Sequence, residues 1–378
     1  MSIAVERIIS SSRRPKTLGA GKPGAISLAM GEPDSGTPTA IVEAAVNALT
    51  SGRTRYAPMA GSSELQHAIA QHTSAKYARP TSAEEIVLTH GGSAGLAATM
   101  LALINPGDRI LIPEPTYSLY ADHAAMIGAE VMWVPNLADG SLDLDTLQQQ
   151  AADARMIVLC NPGNPTGRVY PDTDLHRLEQ LLQDTPNLLL LADEAYADIT
   201  FDGGTFTSAL TLARARGQVI CCSTFSKTYA MTGWRLGHVV APVELANRIN
   251  TIHRTINGPL STFIQDAALT ALEIPDADLQ AAAASYQQRR DIVLDLLSGL
   301  PAVEMLPPQG AFYAFPKINS SLTSDEMAAR FAEAGVLVRS GSEFGPSGEG
   351  HIRISFATDV ESLKEGLARF ASMLKDLV

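Results

Sequence analysis

The chain has 378 residues, of which 46% are hydrophobic and 18% charged, and these proportions predict an ordinary globular protein of two domains. Its net charge of −12 argues against a general affinity for nucleic acid or anionic lipid, although a local basic pocket could still bind a small anion. No run approaches the roughly 20 apolar residues of a membrane span. The three cysteines and eight scattered histidines predict neither a disulfide framework nor a metal site. We therefore expect a cytoplasmic protein without metal, membrane or nucleic-acid partners.

Short apolar runs alternate with helical patterns between about residues 40 and 280. This alternation predicts an α/β domain with a mostly parallel sheet. Most of the runs are continuously apolar, as in strands that are covered on both faces. They lie at 86–88, 109–112, 130–134, 156–159, 188–191, 219–222 and 236–240.

The pattern changes after about residue 280. An amphipathic helix over about 277–299 precedes shorter predicted strands at 311–315, 336–338 and 351–356. A final helix carries apolar residues at the 3-4-3-4 spacing of one buried face. We expect a large domain of residues 40–280 and a smaller α+β domain that combines residues 1–39 with 281–378.

A single lysine stands out in the run CSTFSKTYAMTGWRLG at 222–237, directly after a predicted strand. The amine of Lys227 could form a Schiff base with an aldehyde, while Thr224, Ser226 and Arg235 could hold a phosphate on the same molecule. This combination predicts pyridoxal 5'-phosphate as the cofactor. On this motif alone, a surface lysine beside a buried strand remains the alternative.

Two glycine-rich motifs follow other predicted strands, where the ligands of a parallel sheet bind. The run GGSAG at 91–95 opens a helix, and its backbone N–H groups could bind a phosphate. The run NPGNPTG at 161–167 predicts a rigid loop that presents an amide. An ordinary turn is the alternative for each motif.

Three further side chains occupy positions that call for a ligand or a partner. Asp193 follows four leucines and an alanine, so a cation such as a pyridinium nitrogen would offset its burial; a helix N-cap is the alternative. Tyr117 or Tyr120 could stack on a cofactor ring or simply pack. Arg353 lies between two isoleucines and could bind a substrate carboxylate or form a structural salt bridge.

Taken together, these motifs resemble the class I/II aminotransferases, pyridoxal-phosphate-dependent enzymes of fold type I in the aspartate aminotransferase superfamily. The resemblance extends from the run LAMGEP at 28–33 to Arg353. It implies a large domain with a mostly parallel seven-stranded sheet between helices. It also implies a homodimer that moves an amino group from an L-amino acid to a 2-oxo acid by a ping-pong mechanism. The resemblance rests on six residues in order: Asn164, Asp193, Tyr196, Lys227, Arg235 and Arg353.

The resemblance also implies a role for each residue. Lys227 is the Schiff-base lysine and proton shuttle, Asp193 pairs with the pyridinium nitrogen, and Asn164 and Tyr196 bind the ring oxygen. Tyr117 stacks on the ring. The α-carboxylate of the substrate is bound by Arg353, with the backbone of Gly31 and the side chain of Asn164. The phosphate is held by Gly92, Ser93, Ala94, Thr224, Ser226, Arg235 and, from the neighbouring subunit, Tyr56.

The resemblance leaves the substrate open. There is no clear match for the second arginine with which some aspartate-specific members bind a side-chain carboxylate. Arg254, beside His253, lies near that region, and Arg13 and Arg14 lie in a segment that covers the pocket in some relatives. A carbon–sulfur lyase or related elimination enzyme on the same fold is the alternative function. A regulatory domain that has lost catalysis is a more distant one, since the lysine is present and no DNA-binding segment is attached.

Overall fold

A seven-stranded sheet dominates the structure, a computed structural model that describes residues 2–14 and 22–377, the side chains of residues 376 and 377 excepted. The strands are β1 (Ile26–Ser27), β2 (Ile86–Thr89), β3 (Arg109–Glu114), β4 (Glu130–Pro135), β5 (Ala154–Cys160), β6 (Leu189–Asp193), β7 (Val219–Thr224), β8 (Gly237–Val240), β9 (Val303–Glu304), β10 (Tyr313–Ala314), β11 (Lys317–Ile318), β12 (Val336–Leu337), β13 (Arg339–Ser340) and β14 (Ile352–Ser355).

Helices cover both sides of this sheet. They are α1 (Ile3–Ser11), α2 (Thr39–Thr50), α3 (Ser63–Tyr77), α4 (Gly92–Leu103), α5 (Leu119–Ile127), α6 (Leu144–Gln150), α7 (Asp172–Asp184), α8 (Phe225–Thr228), α9 (Val243–Asn257), α10 (Thr262–Ala271), α11 (Asp276–Leu297), α12 (Ser324–Glu333) and α13 (Val360–Leu377). In the part of the chain that the structure describes, no helix is both long enough and apolar enough to cross a membrane.

The large sheet has the order β2-β8-β7-β6-β5-β3-β4. Strand β8 runs antiparallel to both of its neighbours, and every other pairing is parallel. The predicted α/β fold is confirmed, and all seven predicted runs form strands. Continuous burial of the central strands explains their unbroken apolar sequences, because helices pack on both faces of the sheet.

The C-terminal part of the chain forms a second, smaller core. Antiparallel strands β10, β14 and β13 make a three-stranded sheet, and β1 pairs in parallel with β12. Buried side chains from this region pack around Phe312, Phe331 and Phe370, and Leu28 joins them from the N-terminal segment. The segment before the large sheet therefore contacts both parts of the protein, because α1 lies against α5 while β1 joins the C-terminal core.

The boundaries between the two predicted domains stay a prediction. Helix α11 runs from Asp276 to Leu297, close to the predicted 277–299, and so crosses the expected boundary at residue 280. Residues 15–21 of the predicted small domain lie outside the described residues. The short strands β9, β11 and β13 have no signal in the sequence, since two residues are too few to show an alternating pattern.

Truncation of a leucine in the central strand tests how much the large core contributes to stability. Leu191 in β6 is fully buried, whereas Leu296 in α11 is 41% exposed. We expect Leu191→Ala to lower the free energy of unfolding by about 2–5 kcal/mol, because it removes buried methyl groups and leaves a cavity. Leu296→Ala should change it by roughly 0.5 kcal/mol or less. Urea titration followed by circular dichroism measures both, and equal effects would contradict this description of the core.

Candidate active site

The carboxyl ends of β2, β3, β5, β6 and β7 border one cavity of about 270 Å³. Parallel strands bring their carboxyl ends to the same edge of a sheet, so the segments that follow them converge there. Residues from the N-terminal segment and from the C-terminal core, among them Gly31 and Arg353, complete the wall. The predicted site residues that line the cavity are Gly31, Gly92, Ser93, Tyr117, Asn164, Asp193, Tyr196, Thr224, Ser226, Lys227, Arg235 and Arg353.

An anion cradle lies where β2 leads into α4. The cap residue Gly91 has a φ of +81° and provides no side-chain cap for the helix. The first N–H groups of a helix lack partners within it, so those of α4 remain available to an anion. A Cβ atom on Gly91 would lie 2.6 Å from Nη2 of Arg235. Glycine at this position therefore lets a guanidinium approach the helix N-terminus.

Hydroxyl groups complete the cradle from the end of β7. The Thr224 hydroxyl lies 2.8 Å from that of Ser226 and 3.1 Å from the carbonyl oxygen of Leu236. Arg235 has a left-handed φ of +55°, a conformation that costs energy for a non-glycine residue and is typical of functional sites. Its Nη1 donates to the carbonyl of Thr232 at 2.8 Å, which holds the guanidinium in place.

The amine of Lys227 projects from α8 into the cavity. Its Nζ donates to the carbonyl oxygen of Gly31 at 2.6 Å. Burial lowers the pKa of Lys227 to about 8; Glu32 opposes this shift, while Arg353 and Arg235 add to it. About one tenth of the amine is consequently neutral at pH 7, far more than for a lysine with the ordinary pKa of 10.5, and the neutral amine is both a nucleophile and a proton acceptor.

Asp193 is a buried carboxylate at the end of the middle strand. Its Oδ2 accepts a hydrogen bond from the Tyr120 hydroxyl at 2.7 Å, and its Oδ1 accepts one from the N–H of Ala195 at 3.2 Å. Burial raises the pKa of Asp193, and these hydrogen bonds oppose that shift. Among the described residues, no cation lies within 4.0 Å of this carboxylate. A cationic nitrogen of a bound molecule would offset its burial.

Arg353 in β14 is buried without an ion-pair partner among the described residues. Nη1 donates to Oδ1 of Asn164 at 3.0 Å, and Nη2 donates to the carbonyl of Ala29 at 2.6 Å. The guanidinium lies over the rings of Tyr313 and Phe344, at 4.4 and 4.9 Å from their centroids. Because no carboxylate among the described residues pairs with this guanidinium, the alternative of a structural salt bridge is not supported. A carboxylate of a ligand would supply the missing negative charge.

Two tyrosines connect the cavity to the C-terminal core. The hydroxyls of Tyr196 and Tyr313 lie 2.8 Å apart. Gly31 packs so closely on this pair that a Cβ atom would overlap the Tyr313 hydroxyl. The glycine therefore allows the N-terminal segment to bring its carbonyl oxygen within reach of Lys227.

Some predicted residues lie away from the cavity in the single chain. Ala94 does not line it, although its backbone belongs to the first turn of α4. The side chain of Tyr56 is 93% exposed, and its backbone forms a bridge with Ser261. His253 is buried and stacks on His90, with ring centroids 5.2 Å apart, and Arg254 is exposed.

Arg14, in the covering segment, does line the cavity, and its Nη1 lies 4.0 Å from Asp122. Arg13 is exposed and does not line it.

Four residues contribute to the site in ways that their sequence context does not predict. Tyr120 was considered only as a stacking candidate, yet it donates to Asp193. Tyr313 was counted only as part of a strand. Arg339 and Glu343 form an ion pair on the cavity wall, with Nε and Oε2 2.7 Å apart. Their i,i+4 spacing is visible in the sequence, but it falls in a segment without a predicted helix.

Comparison with known proteins identifies the family. The family model for aminotransferases of class I and II matches residues 23–370. The aspartate aminotransferase of Pyrococcus horikoshii is 33% identical over 93% of this chain and 90% of its own. The arginine–pyruvate transaminase AruH of Pseudomonas aeruginosa is 33% identical over the same shares of the two chains.

A solved structure agrees with these sequences. The aromatic aminotransferase of P. horikoshii superimposes with a TM-score of 0.91 at 32% identity, and the match covers 99% of each chain. Fold, sequence and family model thus agree over almost the whole length, and they show that the chain belongs to the class I and II aminotransferase family and is a transaminase.

Proposed function

We propose that the cavity binds pyridoxal 5'-phosphate and that the protein transfers amino groups between an L-amino acid and a 2-oxo acid. The observation that carries this proposal is the placement of Lys227 and Asp193. Asp193 ends β6 and Lys227 lies in α8, directly after the adjacent strand β7, and both line one cavity together with the anion cradle and Arg353. The cavity thus offers a matching group for each part of the ligands: Lys227 for the aldehyde, Asp193 for the cationic ring nitrogen, the anion cradle for the phosphate and Arg353 for the substrate carboxylate.

The residues present fit this cofactor. Gly92, Ser93 and Ala94 would hold its phosphate through backbone N–H groups, together with the hydroxyls of Thr224 and Ser226 and the guanidinium of Arg235. Asp193 would pair with the ring nitrogen. Asn164 and Tyr196 would bind the ring oxygen, and the half-buried Tyr117 would cover a ring face. When bound, the cofactor supplies an electron sink that weakens the bonds at the substrate Cα.

The protein supplies position and proton transfer. Arg353 binds the substrate α-carboxylate through its planar fork, and the Asn164 amide and the Ala29 carbonyl keep that fork fixed. The neutral amine of Lys227 takes the proton from the substrate Cα, a task that its lowered pKa favours. Tyr120 holds Asp193 by a hydrogen bond that favours the ionised carboxylate.

The donor amino acid has to be determined by experiment, because the three relatives compared above are named for three different substrates: aspartate, arginine with pyruvate, and aromatic compounds. On the cavity wall, Arg339 and Glu343 neutralise one another. A donor panel should therefore include acidic, basic and aromatic amino acids.

We also propose a homodimer in which Tyr56 reaches the phosphate of the neighbouring subunit. The phenol of Tyr56 is 93% exposed, so it is accessible to a second chain. Nearby, helix α2 presents Val42, Val46 and Leu49 along one exposed face, at 39%, 50% and 43% exposure. A second copy of the chain would bury these apolar groups.

We also propose that the protein works in a reducing compartment such as the cytoplasm. All three cysteines, Cys160, Cys221 and Cys222, are buried free thiols. Proteins of oxidising compartments more often pair their cysteines.

Replacement of the lysine tests the reaction. With pyridoxal phosphate bound, we expect the wild-type protein to transfer amino groups from some donors of the panel to a 2-oxo acid. Lys227→Ala should reduce this turnover by at least about 10²–10⁴-fold, because the proton acceptor is lost. Borohydride reduction followed by mass spectrometry should place the cofactor on Lys227 in the wild type and in the control variant Lys364→Ala. A fully active Lys227→Ala variant would refute the assignment, and release of ammonia and a 2-oxo acid without an acceptor would indicate a lyase instead.

The pKa of about 8 for Lys227 has a direct chemical consequence. A neutral amine reacts with acylating reagents and an ammonium does not, so labelling of Lys227 in the cofactor-free protein should rise with pH around a midpoint near 8. In the urea-unfolded protein the midpoint should move up towards the ordinary value of 10.5. Trace acetic anhydride and peptide mass spectrometry measure both curves. Identical midpoints in the folded and unfolded protein would contradict the proposed environment of the amine.

The dimer is tested by charge on α2 and by loss of one hydroxyl. Val46→Glu should convert a species of two 40.1-kDa chains into monomers in light scattering, because a carboxylate would enter an apolar interface. Tyr56→Phe should leave the dimer intact but raise the dissociation constant of pyridoxal phosphate by about 10-fold, since a hydrogen bond to a charged phosphate is lost. Leu296→Glu, which adds the same charge on α11, should do neither. A wild-type monomer with full activity would rule out the proposed dimer.

A further inference from the structure

A second cavity of about 450 Å³ lies between the sheet region and the C-terminal core. It shares no lining residue with the cavity of the active site. The loop at 161–167 lies between the two, because its Asn164 lines the first cavity and its Thr166 lines the second. One wall comes from the sheet region, at residues 115, 136–140 and 166–168, and the other from residues 304–317 and 347–351.

One arginine of this second cavity forms no ion pair with the described residues. Arg168 lines it, and in the described part of the chain no carboxylate lies within 4.0 Å of its guanidinium. The side chain packs against Gly140, where a Cβ atom would be 2.8 Å from Nε of Arg168. The guanidinium is therefore held in place by packing rather than by an ion pair.

The other ionisable groups near this cavity carry both signs of charge. Lys317 and Glu304 lie opposite one another in the pair β11–β9, and both line the cavity. His351 stacks on Phe315 with a centroid separation of 4.7 Å. Hydrogen bonds from Ser141 lower the pKa of Asp139, in the wall at 136–140, and the charge of Arg168 contributes to this shift, although the two form no ion pair in the described chain. Arg168 is therefore distinguished by its lack of an ion pair and not by a net charge of the wall.

The remaining wall is apolar. Leu137 from the sheet region and Leu306 from the C-terminal region are 50% and 43% exposed, and both line the cavity. Met305 and Phe315 lie alongside them. Exposed leucines on both sides of one cleft are typical of a site whose ligand has an apolar body.

We propose that this cavity binds a small organic carboxylate with an apolar body, whose carboxylate pairs with Arg168 and whose body lies between Leu137 and Leu306. A planar guanidinium matches a carboxylate through two parallel hydrogen bonds.

Such a ligand would connect two parts of the chain that already touch beside the active site. Ser347, which lines the second cavity, donates its backbone N–H to Oε2 of Glu114 at the end of β3, at 3.1 Å. Four residues earlier, Glu343 lines the active-site cavity and accepts from Ser118 at 3.3 Å. The segment from Glu343 to Ser347 therefore borders both cavities, and a ligand in the second would stabilise its contacts with the sheet region.

The probe for this proposal is 3-phenyllactate, which carries a carboxylate and an aromatic body but no amine that could react with an aldehyde. Titration calorimetry is performed on the cofactor-loaded Arg353→Ala protein, so that binding to the active-site guanidinium does not contribute. We expect one site per chain with a dissociation constant below about 1 mM. The neutral analogue 3-phenyl-1,2-propanediol should bind at least 10-fold more weakly.

Variants then locate the site. In the same background, Arg168→Gln and Leu306→Asp should each raise the dissociation constant of 3-phenyllactate at least 10-fold. Both should fold, because the Arg168 side chain has no ion-pair partner to leave behind and Leu306 is at the surface; thermal melting checks this. Arg177→Gln, which removes an exposed arginine of α7, should have no effect. Absence of binding in the Arg353→Ala background, equal binding of the neutral analogue, or unchanged affinity in both variants would overturn the proposal.

Discussion

The buried carboxylate of Asp193 is the constraint around which the active site is organised. It ends the middle strand of a seven-stranded sheet, with Cys160 and Cys222 of the neighbouring strands on either side. Burial disfavours its charge, and one phenol and one backbone N–H compensate for this only in part. A site built in this way favours a cationic ligand next to the carboxylate.

The same apolar surroundings act in opposite directions on two groups. Burial raises the pKa of Asp193 and lowers that of Lys227, because it disfavours the charged form of each. The protein therefore prepares a reactive amine without placing a dedicated base beside it. The neighbouring cations Arg353 and Arg235 add to the lowering of the lysine pKa, and in the proposed function they have further roles, at the substrate carboxylate and at the phosphate.

Much of this arrangement could be predicted from the sequence, for physical reasons. Continuously apolar strands identify a covered parallel sheet, and such a sheet brings the residues that follow its strands to one edge. Lys227, Asp193 and Asn164 each follow a strand and were found in this way. The hydrogen bonds of Tyr120 to Asp193 and of Tyr313 to Tyr196 could not be predicted, because they depend on where the hydroxyl of each packed ring points. An aromatic residue in an apolar run does not reveal this direction. The exposed phenol of Tyr56 needs a second chain to acquire a role, and only the family resemblance pointed to it.

Gly31 shows how closely the two ends of the chain are fitted together. Its carbonyl oxygen accepts from Lys227, and the space that a side chain would need is filled by the hydroxyl of Tyr313. The position cannot vary by even one methyl group unless the N-terminal segment or β10 moves. Attempts to redesign substrate preference should therefore leave residue 31 unchanged and diversify lining residues that do not contact Lys227, such as Arg14, or Arg339 and Glu343 exchanged together as an ion pair.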